Sequence, residues 1–97
     1  MEMMRNYEAI FMFYPDADEE KKVKHFDRLK AIIEDNGKIS NIDEWGMRKL
    51  AYEIEYYKEA SYVLVEFEVE TESIKEIDRV SKILDTVMRH MIIAVED

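Results

Sequence analysis

The apolar residues of this chain switch back and forth between two spacings, and the order of the switches leaves few folds open. Residues 5–14 alternate, with Tyr7, Ala9, Phe11 and Phe13 on one face and Asn6, Glu8, Ile10, Met12 and Tyr14 on the other. Both faces are largely apolar, as expected of a central strand covered at least partly on both sides, and Pro15 ends it. Helical spacing follows. Val23, Phe26, Leu29, Ile32 and Ile33 form a buried stripe, Asp18 is placed as N-cap before Glu19 and Glu20, and Asn36-Gly37 supplies the stop.

Alternation then returns for a long second strand, 38–56, interrupted near Gly46. A turn is expected near Tyr57-Lys58-Glu59-Ala60, of a type that cannot be read without Gly or Pro. The third strand places Val63, Val65, Phe67 and Val69 on one face, with Tyr62, Leu64, Glu66, Glu68 and Glu70 on the other. Thr71 or Ser73 then caps a second helix, with Ser73 and Glu76 at capping-box spacing and Ile74, Ile77, Val80 and Leu84 buried. Residues 87–95 form a last strand whose inward face stays ambiguous, since both alternations are mostly apolar. This order predicts an α+β, ferredoxin-like βαββαβ fold in one domain, 1–97: a four-stranded antiparallel sheet with two helices on one face. The other face would then expose Ile10, Met12, Tyr14, Tyr62 and Leu64 beside acids, a contiguous patch of the kind that marks a partner site.

The chain has no cysteine, which excludes disulfides and thiolate metal sites and fits a reducing compartment. No apolar run has the length of a membrane span, and Met1-Glu2-Met3-Met4-Arg5 lacks a secretory pattern, so a soluble cytoplasmic protein is expected. A net charge of −9 opposes free-standing nucleic-acid binding. The charge is uneven, however. Residues 37–58 are neutral, with Asp43, Glu44, Glu53 and Glu55 offset by Lys38, Arg48, Lys49 and Lys58, whereas 59–72 carry glutamates and no base. A neutral, locally basic hairpin beside an acidic strand suggests two partners of opposite charge.

Catalysis and metal binding find little support. His25 is expected to be an exposed helical residue. His90, between Arg89 and Met91 with no Asp nearby in sequence, lacks convergent ligands. With two glycines no phosphate loop can form, and the loop Tyr14 to Glu20 is acidic and would repel phosphate. Glu66, Glu68 and Glu70 read as a solvated face or a contact for a basic partner rather than as acid–base groups. No enzyme, cofactor, metal or small-molecule substrate is expected. Trp45, Tyr52, Tyr56, Tyr57 and Tyr62 gather around the hairpin. Tyr52 and Tyr56 are expected to be buried in the alternation, while Tyr57 and Tyr62 are open to partner contact. A bulge at Gly46 would turn Arg48 outward.

The run Gly46-x-Arg48-Lys49-Leu50-Ala51-Tyr52-x-Ile54 resembles the bacterial small-subunit ribosomal protein six family. So do Arg5-Asn6-Tyr7-Glu8, Pro15, Asn36-Gly37, Asp78-Arg79-Val80-x-Lys82-Ile83 and Arg89-His90 before Met91-Ile92-Ile93. Two features depart from it: Glu55 stands where the family often has a neutral or basic residue, and the longer tail of some members is missing after Glu96-Asp97. The resemblance implies a structural protein of the cytoplasmic ribosome that binds small-subunit ribosomal RNA together with small-subunit ribosomal protein eighteen. Arg48 and Lys49 are then the leading RNA-binding candidates, followed by Arg5, Lys58 and Arg89. Tyr62, Leu64, Glu66 and Glu68, on the outer side of the third strand, are the protein-interface candidates. The alternative is a ferredoxin-like regulatory or small-ligand module that dimerises through its open sheet face.

Overall fold

The computed structural model describes residues 4–95; the leader and tail readings at 1–3 and 96–97 lie outside the described residues. The elements run β1 (Met4–Phe13), α1 (Glu19–Asn36), β2 (Gly37–Ile54), β3 (Tyr57–Glu70), a short 3-10 turn (Thr71–Ser73), α2 (Ile74–Ile83) and β4 (Val87–Ala94). The sheet order is β2-β3-β1-β4, every neighbouring pair antiparallel. This is the expected ferredoxin-like βαββαβ arrangement.

The core lies between the helices and the sheet face carrying Tyr7, Ala9, Phe11, Phe13, Val63, Val65, Phe67 and Val69. Tyr7 stacks on Phe67 at 5.9 Å, and Phe26 of α1 meets Phe11 and Phe13 edge-on at 6.5 and 6.2 Å. Leu29 and Ile33 from α1 and Ile77 and Val80 from α2 close the core. Val23 is 49% exposed, because it lies about a quarter-turn off the line of Phe26, Leu29 and Ile33, and Lys22 takes the place against Phe13 and Ser61 instead. Pairing resolves the ambiguity of β4: Phe11 opposes His90 and Ala9 opposes Ile92, so His90 and Ile92 face the helices.

Several local expectations change. Asp18 caps α1 by accepting from the Glu20 amide at 3.2 Å. The capping box at Ser73 does not form: Ser73 already has helical dihedrals, and its hydroxyl donates back to the Glu70 carbonyl at 2.6 Å within the 3-10 turn. Gly37 ends α1 without a left-handed φ. Its backbone is extended, and glycine is required because a Cβ would lie 1.9 Å from the Glu68 carbonyl oxygen. Gly46 is the opposite case, with φ 77°, open space around it and a bulge in the β2–β3 register.

The turn between β2 and β3 is Glu55-Tyr56, earlier than expected, and Tyr57 to Ala60 belong to β3. β1 ends at Phe13 opposite Ser61, so Arg48 to Ala60 continue as a two-stranded ribbon with no third strand beside it. Such ribbons twist strongly. Here the twist brings Tyr52 to Arg89 of β4, and Glu55 and Tyr57 to Tyr14 and Asp16 at the end of β1.

Candidate functional site

Register arranges the open face of the sheet in rows. Gly46, Tyr62, Met12 and Arg89 form the row nearest the hairpin; Asp43, Leu64, Ile10 and Met91 the next; then Asn41, Glu66, Glu8 and Ile93; and finally Lys38, Glu68 and Asn6. A cation and an aromatic therefore occupy one end, mostly apolar side chains the centre beside Asp43, and glutamates the far end beside Lys38. Tyr62, Leu64, Glu66 and Glu68 are half-buried, while Met91 and Ile93 at the β4 edge are 47% and 49% exposed.

At the hairpin end the aromatics hold the cations. Trp45, the extra residue of the bulge, stacks on Tyr62 at 6.1 Å, and the Arg48 guanidinium lies over its ring at 5.7 Å. That contact keeps the cation oriented yet exposed. The bulge thus turns Arg48 to the open face, as expected, with Ala60 as its pairing partner. Lys49 pairs with Glu59 and so points to the other side of the ribbon. Arg89 donates to the Tyr52 hydroxyl at 3.1 Å.

The tip of the ribbon is pinned to the loop after β1. The Tyr14 hydroxyl donates to the Glu55 carboxylate, Tyr57 donates to Asp16 at 2.9 and 3.1 Å, and the two rings meet at 5.1 Å. The Tyr14 phenol is pushed up to about 12, first by the bond to Glu55 and then by burial and nearby negative charge. Tyr57 is raised for the same kind of reason, its bond to Asp16 coming first. These tyrosines are neutral braces, not proton-transfer groups.

Both histidines are engaged rather than free. His25 is half-buried, sharing a 2.7 Å hydrogen bond with Thr86, because α1 packs against the turn before β4. His90 lies 2.7 Å from Asp78 of α2, a partner distant in sequence. The carboxyl of Asp78 is held below its ordinary value, mainly by the His90 bond and then by Lys82. No cluster of three or more His, Asp or Glu side chains able to hold a metal occurs among the described residues. No helix among them is long and apolar enough to cross a membrane.

Comparison with known proteins gives this geometry a context. The bS6 protein of the small ribosomal subunit of Clostridium botulinum (strain Hall) is 47% identical over 94 residues, 96% of this chain and 100% of that one. bS6 of Desulforamulus reducens is 44% identical over 91 residues, 93% of this chain and 96% of that one. The pattern of the family described as ribosomal protein S6 matches residues 6–94. The chain belongs to the ribosomal protein S6 family. The crystal structure of 30S ribosomal protein S6 from Thermotoga maritima superposes with a TM-score of 0.87 at 29% identity, covering 96% of this chain and 89% of that one. S6 is a structural, non-enzymatic component of the small ribosomal subunit, and this chain has that role.

Among the candidate residues of this S6 chain, Arg48, Lys49, Lys58 and Arg89 gather at the hairpin end, with Arg48 and Lys49 on opposite sides of the ribbon. Arg5 does not join them. It pairs with Val69 at the far end of β1, about 23 Å from Met12 at strand rise. Tyr52 and Tyr56, expected to be buried, are 64% and 94% exposed: Tyr52 lies on the ribbon beyond the reach of the helices, and Tyr56 is in the turn, outside the strand alternation. The contacts of Trp45 with Arg48 and of Tyr52 with Arg89 had no signal in the sequence beyond the local density of aromatics.

Proposed function

We propose that this chain binds small-subunit ribosomal RNA with its hairpin end and small-subunit ribosomal protein eighteen with the open face of its sheet. The observation that carries the proposal is the gradation along that face, with cations braced by aromatics at one end, an apolar centre and carboxylates at the other. An RNA backbone suits the first and a basic protein the last. Arg48 and Arg89 contact phosphates from the open side of the ribbon, and Lys49 reaches RNA from the other, so the ribbon is gripped rather than merely touched. Lys58 adds to the same end, and Arg5 is a separate contact at the far end of β1. Tyr62 and Leu64 supply apolar contact to the protein partner, and Glu66 and Glu68 meet its basic side chains. The family assignment favours this reading over a free dimeric regulatory module. The place of action is the ribosome in the cytoplasm.

The test is assembly of the small-subunit RNA with protein eighteen and Arg48→Ala/Lys49→Ala. Binding should weaken, and the slope of log affinity against log salt should flatten by about one unit for each phosphate that is no longer neutralised. The folded domain should survive, since both side chains are exposed. An unchanged salt slope would remove the hairpin from the RNA site.

A further inference from the structure

The turn at the tip of the ribbon is strained around a side chain that packs on nothing. Glu55 and Tyr56 have φ of 50° and 71°, the left-handed pair that a type I′ turn demands and that Asn-Gly adopts readily. A bulky residue holds such a conformation only where its surroundings impose it. Here they do. On one side of Tyr56, Glu55 is held by the Tyr14 hydroxyl; on the other, Tyr57 is held by Asp16 and by the ring of Tyr14. Tyr56 itself is 94% exposed and has no hydrogen bond or ring contact among the described residues. Beside it is a cavity of about 740 Å³ whose walls include Tyr52, Lys49 and Lys58 as well as Glu53 and Glu59. Neither lysine has an ion-pair partner among the described residues.

We infer that Tyr56 is a stacking platform for an unpaired nucleobase of RNA, with Lys49 and Lys58 on the phosphates that flank it. The inference rests on the proposed RNA binding and adds the state of the nucleotide that the hairpin takes. A base inside an A-form helix has no face to offer an aromatic ring, whereas a base in a loop or bulge does. A neutral base also suits a wall of mixed charge. Its π-face meets the tyrosines, its amino and imino groups donate to Glu53 or Glu59, and its phosphates meet the lysines. The anchors on either side keep the ring in place before RNA arrives, so little order has to be imposed on binding.

The test compares Tyr56→Ala, Tyr56→Phe and Tyr56→Gly in binding small-subunit ribosomal RNA together with protein eighteen. Tyr56→Ala should weaken RNA binding by roughly 5- to 150-fold, the range for removing one base–aromatic stack. Its salt slope should match the parent's, because the ring meets no phosphate. Tyr56→Phe should bind like the parent, since the ring face is kept. Tyr56→Gly should lose affinity as Ala does while its denaturant midpoint rises, because glycine relieves the positive φ; lower affinity in a more stable protein cannot come from misfolding. If Tyr56→Ala binds like the parent while Arg48→Ala/Lys49→Ala is weakened, the stack is overturned and the RNA site stands. A parent protein that does not bind the RNA overturns the RNA reading and the stack with it. If Tyr56→Ala loses affinity for protein eighteen alone and none for RNA, the ring is a protein contact and the inference fails.

Discussion

Tyr62 and Phe67 lie on the same strand and face opposite ways, so truncating each should have a different consequence. Phe67 is 1% exposed and stacked on Tyr7. Phe67→Ala should cost about 3–5 kcal/mol, the usual range for emptying an aromatic site in a packed core, and should lower the denaturant midpoint with no specific effect on partner affinity. Tyr62 stands on the open face against Trp45. Tyr62→Ala should leave the fold largely intact and raise the off-rate of protein eighteen, as loss of an aromatic anchor does. Glu66→Lys, by contrast, should mainly slow association at low salt, as charge changes at an interface rim do. Amide shifts on titration with that partner would check the assignment: a response confined to the helix side would place the partner on the wrong face. This division was legible in the sequence, since alternation along 62–70 separates the two faces wherever the strand runs straight. It failed at Tyr52 and Tyr56. Alternation says which way a side chain points but not whether anything lies there to cover it.

At the scale of elements, α2 and β4 are joined by Asp78 and His90, and α1 is tied to the turn before β4 by Lys21 and Asp85 at 2.5 Å. Both carboxyls are held below their ordinary value of 3.8, Asp78 chiefly by the His90 bond and Asp85 chiefly by the Lys21 bond. A lowered folded-state pKa means that the unfolded chain binds the proton first on acidification. The stabilisation is therefore present above about pH 4 and is lost as pH falls through the folded-state value. Asp78→Asn and Asp85→Asn should each flatten the acid limb of the stability curve below about pH 4, with little change in slope near neutrality. Both carboxylates are substantially exposed, so each effect should be small. Denaturant midpoints across that range would show it, and parallel acid limbs for parent and variants would rule it out. His90 looks isolated in the sequence because its partner lies on another element. The Ser73 box has the right spacing, yet the 3-10 turn directs the hydroxyl back to Glu70.

The whole molecule carries a net charge of −9, so bulk electrostatics oppose RNA, and the proposed binding rests on the local cations of the hairpin end. Alone, the protein should bind small-subunit RNA weakly and with strong salt dependence. A basic protein seated on the acidic and apolar rows would remove part of that repulsion and extend the RNA-binding surface, so each partner should raise the affinity of the other by the same factor. Measuring RNA binding with and without protein eighteen, and protein eighteen binding with and without RNA, tests that reciprocity. Tight, salt-insensitive binding by the isolated chain would contradict it. The longest dimension is 45 Å, with the ribbon projecting beyond the body of the sheet.

Period and order alone determined the succession of strands and helices, the helix-facing core of β1 and β3, and the βαββαβ topology, because burial imposes its spacing on each element locally and short connections restrict how the elements assemble. The motif from Gly46 to Ile54 also carried the family. Tertiary structure alone decided where the ribbon goes. Its course depends on the bulge at Trp45, the strained turn at Glu55-Tyr56 and the tyrosine contacts with Asp16, Glu55 and Arg89, which join residues far apart in the chain. Spacing along one strand carries no information about such contacts. They decide that Arg48 is held under Trp45 on the open face, that Arg89 meets Tyr52, and that Tyr56 meets solvent.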